Sequence, residues 1–318
     1  MRKRQNTISL KNESIPEEVP VHRCSCVIKL GGSACTQKDS FETYNFEEVS
    51  RFSEQLSDIC VSESAFRPIV LHGAGSFGHF QAKQYSVGSG TRKSSGVSLN
   101  AFERISPFLR EGFSKTRLSV TRLNHHILTT MIQKGIPAVG VSPFPLVPAF
   151  KRKLPSSELF GWPWESSLKR SLTELLSLGL VPVLHGDACI DVSGQATSIL
   201  SGDTLFVRLC SIFRPTHAVF LADVDGVLTA PPPNGTVIKQ ILVNADGTWD
   251  APMTTSTQTH DVTGGIKHKI EAAIQVVLAI GIPVYIVRAG SADAQLCIRG
   301  QRPLIGTTVE MVPNHAHM

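Results

Sequence analysis

Short apolar runs, several of them ending in glycine, alternate along the chain with longer stretches of helical periodicity. Residues 26–30, 68–72, 136–141, 180–184, 218–222 and 283–287 read as strands buried on both faces, because their apolar positions run on without a polar alternate. Residues 46–60, 113–134, 166–177 and 204–213 read as helices, and Ile266, Ile270, Ala273, Ile274 and Val277 mark one face of another. This order predicts an α/β chain with a mostly parallel sheet covered on both sides. A hairpin is expected to begin at 190–192 and turn at Ser193-Gly194. Between Phe144 and Trp164, Pro145, Pro148, four further aromatics and Lys151-Arg152-Lys153 break the periodicity, which predicts an irregular loop or lid. No internal repeat is present.

Composition narrows the class. The chain has 318 residues, 42% hydrophobic and 18% charged, a balance that suits a soluble enzyme with a large core. No apolar run approaches the roughly 18 residues a membrane span needs. The start is basic, but residues 5–20 are polar and carry Glu13, Glu17 and Glu18, so neither a secretory signal nor a transit peptide is expected. The expected organisation is a disordered extension over 1–23, one domain over 24–312 with a soft boundary near Val181, and a frayed tail over 313–318. A net charge of +5 without a basic stripe does not indicate nucleic-acid binding, and suits polyanionic small substrates. Seven scattered cysteines, an odd number, lack the spacing of a zinc knuckle or redox pair; reduced thiols, a cytoplasmic setting and no protein-held metal are expected.

The chemistry-bearing residues cluster after strands. Lys29-Leu-Gly-Gly-Ser33 follows the first, where Gly31 and Gly32 let backbone amides approach phosphate oxygens and Lys29 adds charge. It is not a Walker loop. Lys38 follows in the same loop or the next turn. His72-Gly-Ala-Gly-Ser-Phe-Gly-His79 is a second glycine-rich loop, in which Ala74, Gly75 and Gly78 can cradle an anion and His79 can donate to it. Gly186 and Asp187 end a third strand, and Ser201-Gly-Asp203 opens a helix. Asp203 is either the helix cap or a carboxylate that positions lysines. Asp223-Val-Asp225-Gly226 ends a fourth strand as a nucleotide-contacting turn, a metal site or a plain turn. Gly264-Gly265 precede a helix that carries Lys269 toward its start, whereas Lys267 and His268 point elsewhere.

The order of these motifs resembles the amino acid kinase superfamily. Within it, Lys29 to Ser33, Lys38 and the segment from His72 to His79 resemble the isopentenyl phosphate kinase family, over about residues 26–309. That resemblance implies an open αβα sandwich, a homodimer, and ATP with Mg²⁺ as phosphoryl donor. It also implies conversion of isopentenyl phosphate to isopentenyl diphosphate for isoprenoid supply. By the same resemblance Lys29 and Lys269 hold the transferred group, Asp203 orients them, and Lys38 stabilises transition-state charge. His79, with Ala74, Gly75, Gly78, Gly186 and Asp187, takes the acceptor. Gly31, Gly32, Ser33, Gly75, Asp223, Asp225, Gly226, Gly264 and Gly265 line the ATP side. Residues 24–180 then form the acceptor half and 181–312 the nucleotide half. Phe113, Leu118 and the segment around Phe144 are candidates for an apolar tail pocket.

The rivals are a kinase for fosfomycin or a nucleoside monophosphate, a carboxylate kinase, and a non-catalytic nucleotide sensor. A carboxylate acceptor gives no reason for His79, and a sensor gives none for retaining Lys29, Lys38, Asp203 and Lys269 together.

Overall fold

A computed structural model describes residues 23–89, 105–149, 162–191, 196–230, 234–250 and 264–313. The extension, the Ser193-Gly194 turn, Lys151-Arg152-Lys153 and the tail beyond 313 lie outside these residues. The first strand, β1 (Cys26–Leu30), and β2 (Pro68–His72) fall where their apolar runs predict. They are joined by a single helical turn, α1 (Gly32–Cys35), and by α2 (Phe46–Ser62). Then come α3 (Gly75–Gln84), α4 (Pro107–Gln133), β3 (Ala138–Gly140), α5 (Pro163–Ser177) and β4 (Val181–His185). A two-stranded antiparallel ribbon pairs β5 (Asp187–Ile190) with β6 (Thr197–Leu200), its first strand beginning three residues before the expected start at 190. It leads into α6 (Gly202–Phe213) and β7 (His217–Ala222). The chain ends with β8 (Gln240–Val243), β9 (Trp249–Asp250), α7 (Gly264–Ile280), β10 (Val284–Arg288), α8 (Ala292–Ile298) and β11 (Thr307–Met311).

Nine strands form one sheet in the order β3-β4-β2-β1-β7-β10-β11-β8-β9, parallel except where β11 meets β10 and β9 meets β8. Buried strands alternate their residues between two cores even without polar alternates. Val27, Ile69, Leu71, Leu184, Ala218, Phe220 and Ile286 face the core under α5, α6 and α7. Cys26, Ile28, Leu30, Val70, Val183, Val219 and Val287 face the core under α2, α4 and α8. Each fully buried aliphatic side chain contributes roughly 1.5–3 kcal/mol by leaving water. The result is the expected αβα sandwich. β4 pairs with β2 and β3, and β7 is the first strand on the other side of β1.

Two sequence readings change. The segment after β2 is not a loop through His79: α3 starts at Gly75, and His79 lies in its second turn. The start of α4 lies at Pro107, six residues before the periodicity suggests, with Ser106 accepting a hydrogen bond from the Leu109 amide. The 144–164 segment is partly anchored. Val147 and Ala149 are buried, and Arg208 donates to the Pro148 carbonyl at 3.2 Å. All seven cysteines are free thiols, and burial pushes Cys24 and Cys35 up to about 12. Among the described residues, no helix is long and apolar enough to cross a membrane.

Candidate active site

The two glycine segments meet backbone to backbone at the carboxyl ends of β1 and β2. A Cβ on Gly32 would lie 2.8 Å from the Gly75 nitrogen, and one on Gly73 would lie 2.7 Å from the Gly32 nitrogen. Gly75 has φ of +49°, in the left-handed region, and a Cβ there would overlap the Thr36 hydroxyl. That hydroxyl donates to the Gly32 carbonyl at 2.8 Å and accepts from the Ser76 amide at 3.0 Å, pinning α1 to α3. Thr36 carried no sequence signal, because its partners lie in another segment. Gly75→Ala is expected to cost roughly 2–4 kcal/mol through backbone strain and overpacking. Urea unfolding reads that cost, and an unchanged midpoint would mean that the seam tolerates a methyl group.

Hydrogen bonding sorts the amides. Gly31 donates to the Leu221 carbonyl at 2.8 Å and Gly186 to the His72 carbonyl at 3.1 Å, so neither amide is a phosphate donor. Gly78 donates to Ala74 at 3.2 Å, and its Cβ position abuts Ala74 and Val120. It is a glycine for packing α3 on α4, which corrects its reading as part of an anion cradle. Gly226 likewise faces inward, its Cβ position 2.8 Å from the Thr307 hydroxyl. Helices α1, α3 and α7 start at Gly32, Gly75 and Gly264. Helix N-termini carry partial positive charge and attract phosphate oxygens.

Cations gather at the same point. Lys29, at the end of β1 and almost wholly buried, lies 3.0 Å from Asp203 Oδ1 and 5.4 Å from the Phe220 ring centre. Ser201 caps α6 by accepting from the Thr204 amide. Asp203 is therefore not the cap, and its carboxylate turns to the lysine. A Cβ on Gly31 would sit 3.9 Å from Lys269 Cε, which puts the second lysine over the first loop. Burial lowers the Lys269 pKa, and the neighbouring charge of Lys29 lowers it further, against Asp203 and Asp223. Lys267 and His268 are exposed, away from this point.

Lys38 lies 3.1 Å from Asp223 across the mouth of the site. Burial raises the Asp223 pKa, but hydrogen bonds from Lys38 and Ser33 with the Lys38 charge outweigh it and hold the carboxyl below its usual range. Asp225 takes a 2.6 Å bond from Arg288, which also donates to the Asp223 carbonyl at 3.0 Å. Arg288 thus ties the turn after β7 to the end of β10, another contact that only the fold reveals. His79, in the second turn of α3, is exposed at its surface, and partial desolvation lowers its pKa. Asp187 has no exposed side-chain surface and pairs with Arg117.

Magnesium fits this donor set only as an ion carried by nucleotide phosphates. Asp187, Asp203, Asp223 and Asp225 are each held by a cation. Among the described residues, no three His, Cys, Asp or Glu side chains come together as a cage. Residues 25–288 match the model of the amino acid kinase family. The isopentenyl phosphate kinase of Arabidopsis thaliana is 32% identical to this chain over 86% of its length and 90% of the relative's. That of Methanothermobacter thermautotrophicus is 30% identical over 77% and 84%. A crystal structure of isopentenyl phosphate kinase superposes with a TM-score of 0.68 at 26% identity, covering 90% of this chain and 99% of the other. The chain therefore belongs to the amino acid kinase family, and within it to the isopentenyl phosphate kinases.

Proposed function

We propose that this chain transfers the γ-phosphoryl group of Mg·ATP to isopentenyl phosphate, forming isopentenyl diphosphate and ADP. An acceptor phosphate oxygen forms the new bond to the γ-phosphorus while the bond to the β,γ-bridging oxygen breaks, and that oxygen leaves on ADP. The acceptor is already an oxyanion, so no strong general base is needed; alignment and charge neutralisation carry the catalysis. The observation that carries this reading is the convergence of Lys29, Asp203 and Lys269 on two interlocked glycine turns. Lys29 and Lys269 hold the moving group between nucleotide and acceptor. Asp203 keeps Lys29 aimed, and Lys38 leaves Asp223 for the phosphate charge that builds at the mouth. Ala74 and Gly75 amides and His79 take the acceptor phosphate. Asp223, Asp225 and the start of α7 serve the nucleotide. We assign Mg²⁺ to the nucleotide, and a cytoplasmic homodimer as the working form.

The test is ADP release with Mg·ATP against isopentenyl phosphate, dimethylallyl phosphate, fosfomycin, UMP and N-acetylglutamate. Preference for isopentenyl phosphate is the expected result; preference for any of the last three would overturn the acceptor assignment. His79→Ala is expected to raise the acceptor KM roughly 10- to 100-fold, the worth of one charge-assisted hydrogen bond, and to leave ATP binding intact. Unchanged acceptor kinetics would remove His79 from that role.

A further inference from the structure

Arg117, on α4, joins Asp187, next to Gly186, to the Ser142–Phe144 segment. Its Nε lies 3.2 and 3.3 Å from the two Asp187 carboxylate oxygens, and its NH2 group donates to Ser142 Oγ at 3.0 Å. The flat face of the same guanidinium lies over the Phe144 ring, 4.2 Å from its centre. Lysine cannot reproduce this combination of fork and stack.

Each contact leads to a different wall. Asp187 follows Gly186 directly and opens the β5–β6 ribbon, with Oδ1 accepting from the Ala188 amide at 2.8 Å. Burial raises its pKa, and His185 and Arg117 oppose that effect. Gly186 is closely packed, its Cβ position 3.2 Å from both the Gly202 nitrogen and the Leu200 carbonyl. Behind it, His185 stacks on His72, and the His72 ring meets the Asn124 amide at 3.1 Å. A buried carboxylate without its cation either takes a proton or moves. Either change reaches His72, which leads into the Ala74–Gly75 turn, through the Gly186 amide on the His72 carbonyl at 3.1 Å and through the His185–His72 stack. On the other side, Ser142 Oγ donates to the Phe144 carbonyl at 3.1 Å. Phe144 packs edge-on against Phe113, with ring centres 5.6 Å apart. Leu118, the third tail-pocket candidate, is exposed instead.

We infer that Arg117 is a positioning residue that couples the phosphate end of the acceptor site to the Phe113–Phe144 wall and so sets which acceptor the enzyme prefers. The inference rests on the acceptor side proposed above. It predicts a split between substrates that a merely structural arginine would not produce.

The experiment is steady-state kinetics of Arg117→Lys and Arg117→Ala, with isopentenyl phosphate and geranyl phosphate as competing acceptors. Thermal unfolding of each variant is followed in parallel. The control is Lys115→Ala, an exposed neighbour on α4 whose partners are Glu111 and the Tyr85 hydroxyl. Arg117→Lys is expected to raise the isopentenyl phosphate KM about tenfold and the ATP KM less than about twofold. The preference for isopentenyl over geranyl phosphate is expected to fall, and the control to match wild type. Wild-type acceptor KM and preference in Arg117→Lys would overturn the inference. So would acceptor and ATP KM rising together, which would mark general loosening. If the wild-type enzyme ignores both prenyl phosphates and uses UMP or fosfomycin, the functional reading fails; the KM split on that acceptor still decides the role of Arg117.

Discussion

Asp203→Asn is expected to lower turnover by roughly 10²- to 10⁴-fold with little change in fold, the range expected when a preorganised charge is removed from a desolvated site. The substitution keeps the shape of the side chain and removes only its charge. Lys29 is almost wholly buried, its ammonium is 3.0 Å from that carboxylate, and Lys269 lies over the same loop. Without Asp203, two ammonium groups face each other in a partly desolvated site, and Lys29 becomes a buried charge with no anionic partner. Breaking such a pair costs roughly 3–5 kcal/mol in stability. Bound Mg·ATP brings its own negative charge, so the loss in unfolding temperature should be largely recovered on adding the nucleotide. Turnover should not recover, because the lysine is no longer aimed. Kinetics and thermal unfolding with and without Mg·ATP check both halves, and near-wild-type turnover would place the working pair elsewhere.

Lys269→Ala is the second large effect, a fall in turnover of roughly 10²- to 10³-fold, comparable to losing one charge donor from an oxyanion-type site. Unlike Lys29, this side chain leaves a helix start and is only half-buried, so unfolding should barely shift. Its pKa is lowered by burial first and by Lys29 second, so the catalytically useful ammonium is lost at a lower pH than an ordinary lysine's. Activity with saturating acceptor should therefore fall on the alkaline side before pH reaches the usual lysine value of about 10.4. Lys269→Arg should keep measurable turnover and move that limb upward, since a guanidinium stays charged. An alkaline limb that does not move with the arginine would assign the titration to another group.

Much of this was legible before folding was considered. β1 and β2 were readable because each is a short apolar run, broken only by Lys29 in β1 and His72 at the end of β2, and followed by a glycine. Lys29, Asp203 and Lys269 were readable as a set only through the order of their motifs, and the geometry brings them to one point. The helix α3 was not readable. Gly75 and Gly78 look like loop residues, yet Gly78 is what lets α3 lie close to α4, and packing overrode propensity. The early start of α4 did carry a signal, Ser106 followed by Pro107, that the apolar period outweighed. β8, β9, β11 and α8 were missed because they are short, and β8 and β11 mix polar with apolar positions. Thr36, Arg117 and Arg288 act through partners far away in the chain, so no local pattern marks them.

The seam between Gly32 and Gly75 also says where such an enzyme can be changed. Main chain lies against main chain there, with no rotamers to adjust and no side chain to trim, so selection has almost nothing to act on between the two turns. On the proposed assignment, the reacting ends of both substrates lie against the part of the molecule with least room for added side chains. On the proposed acceptor side, diversity in the accepted tail would then enter from α4 and the 144–149 segment, where Phe113, Arg117 and Phe144 meet through their side chains. Libraries aimed at new acceptors belong on those two elements, and libraries on the glycine turns should return mostly unfolded protein.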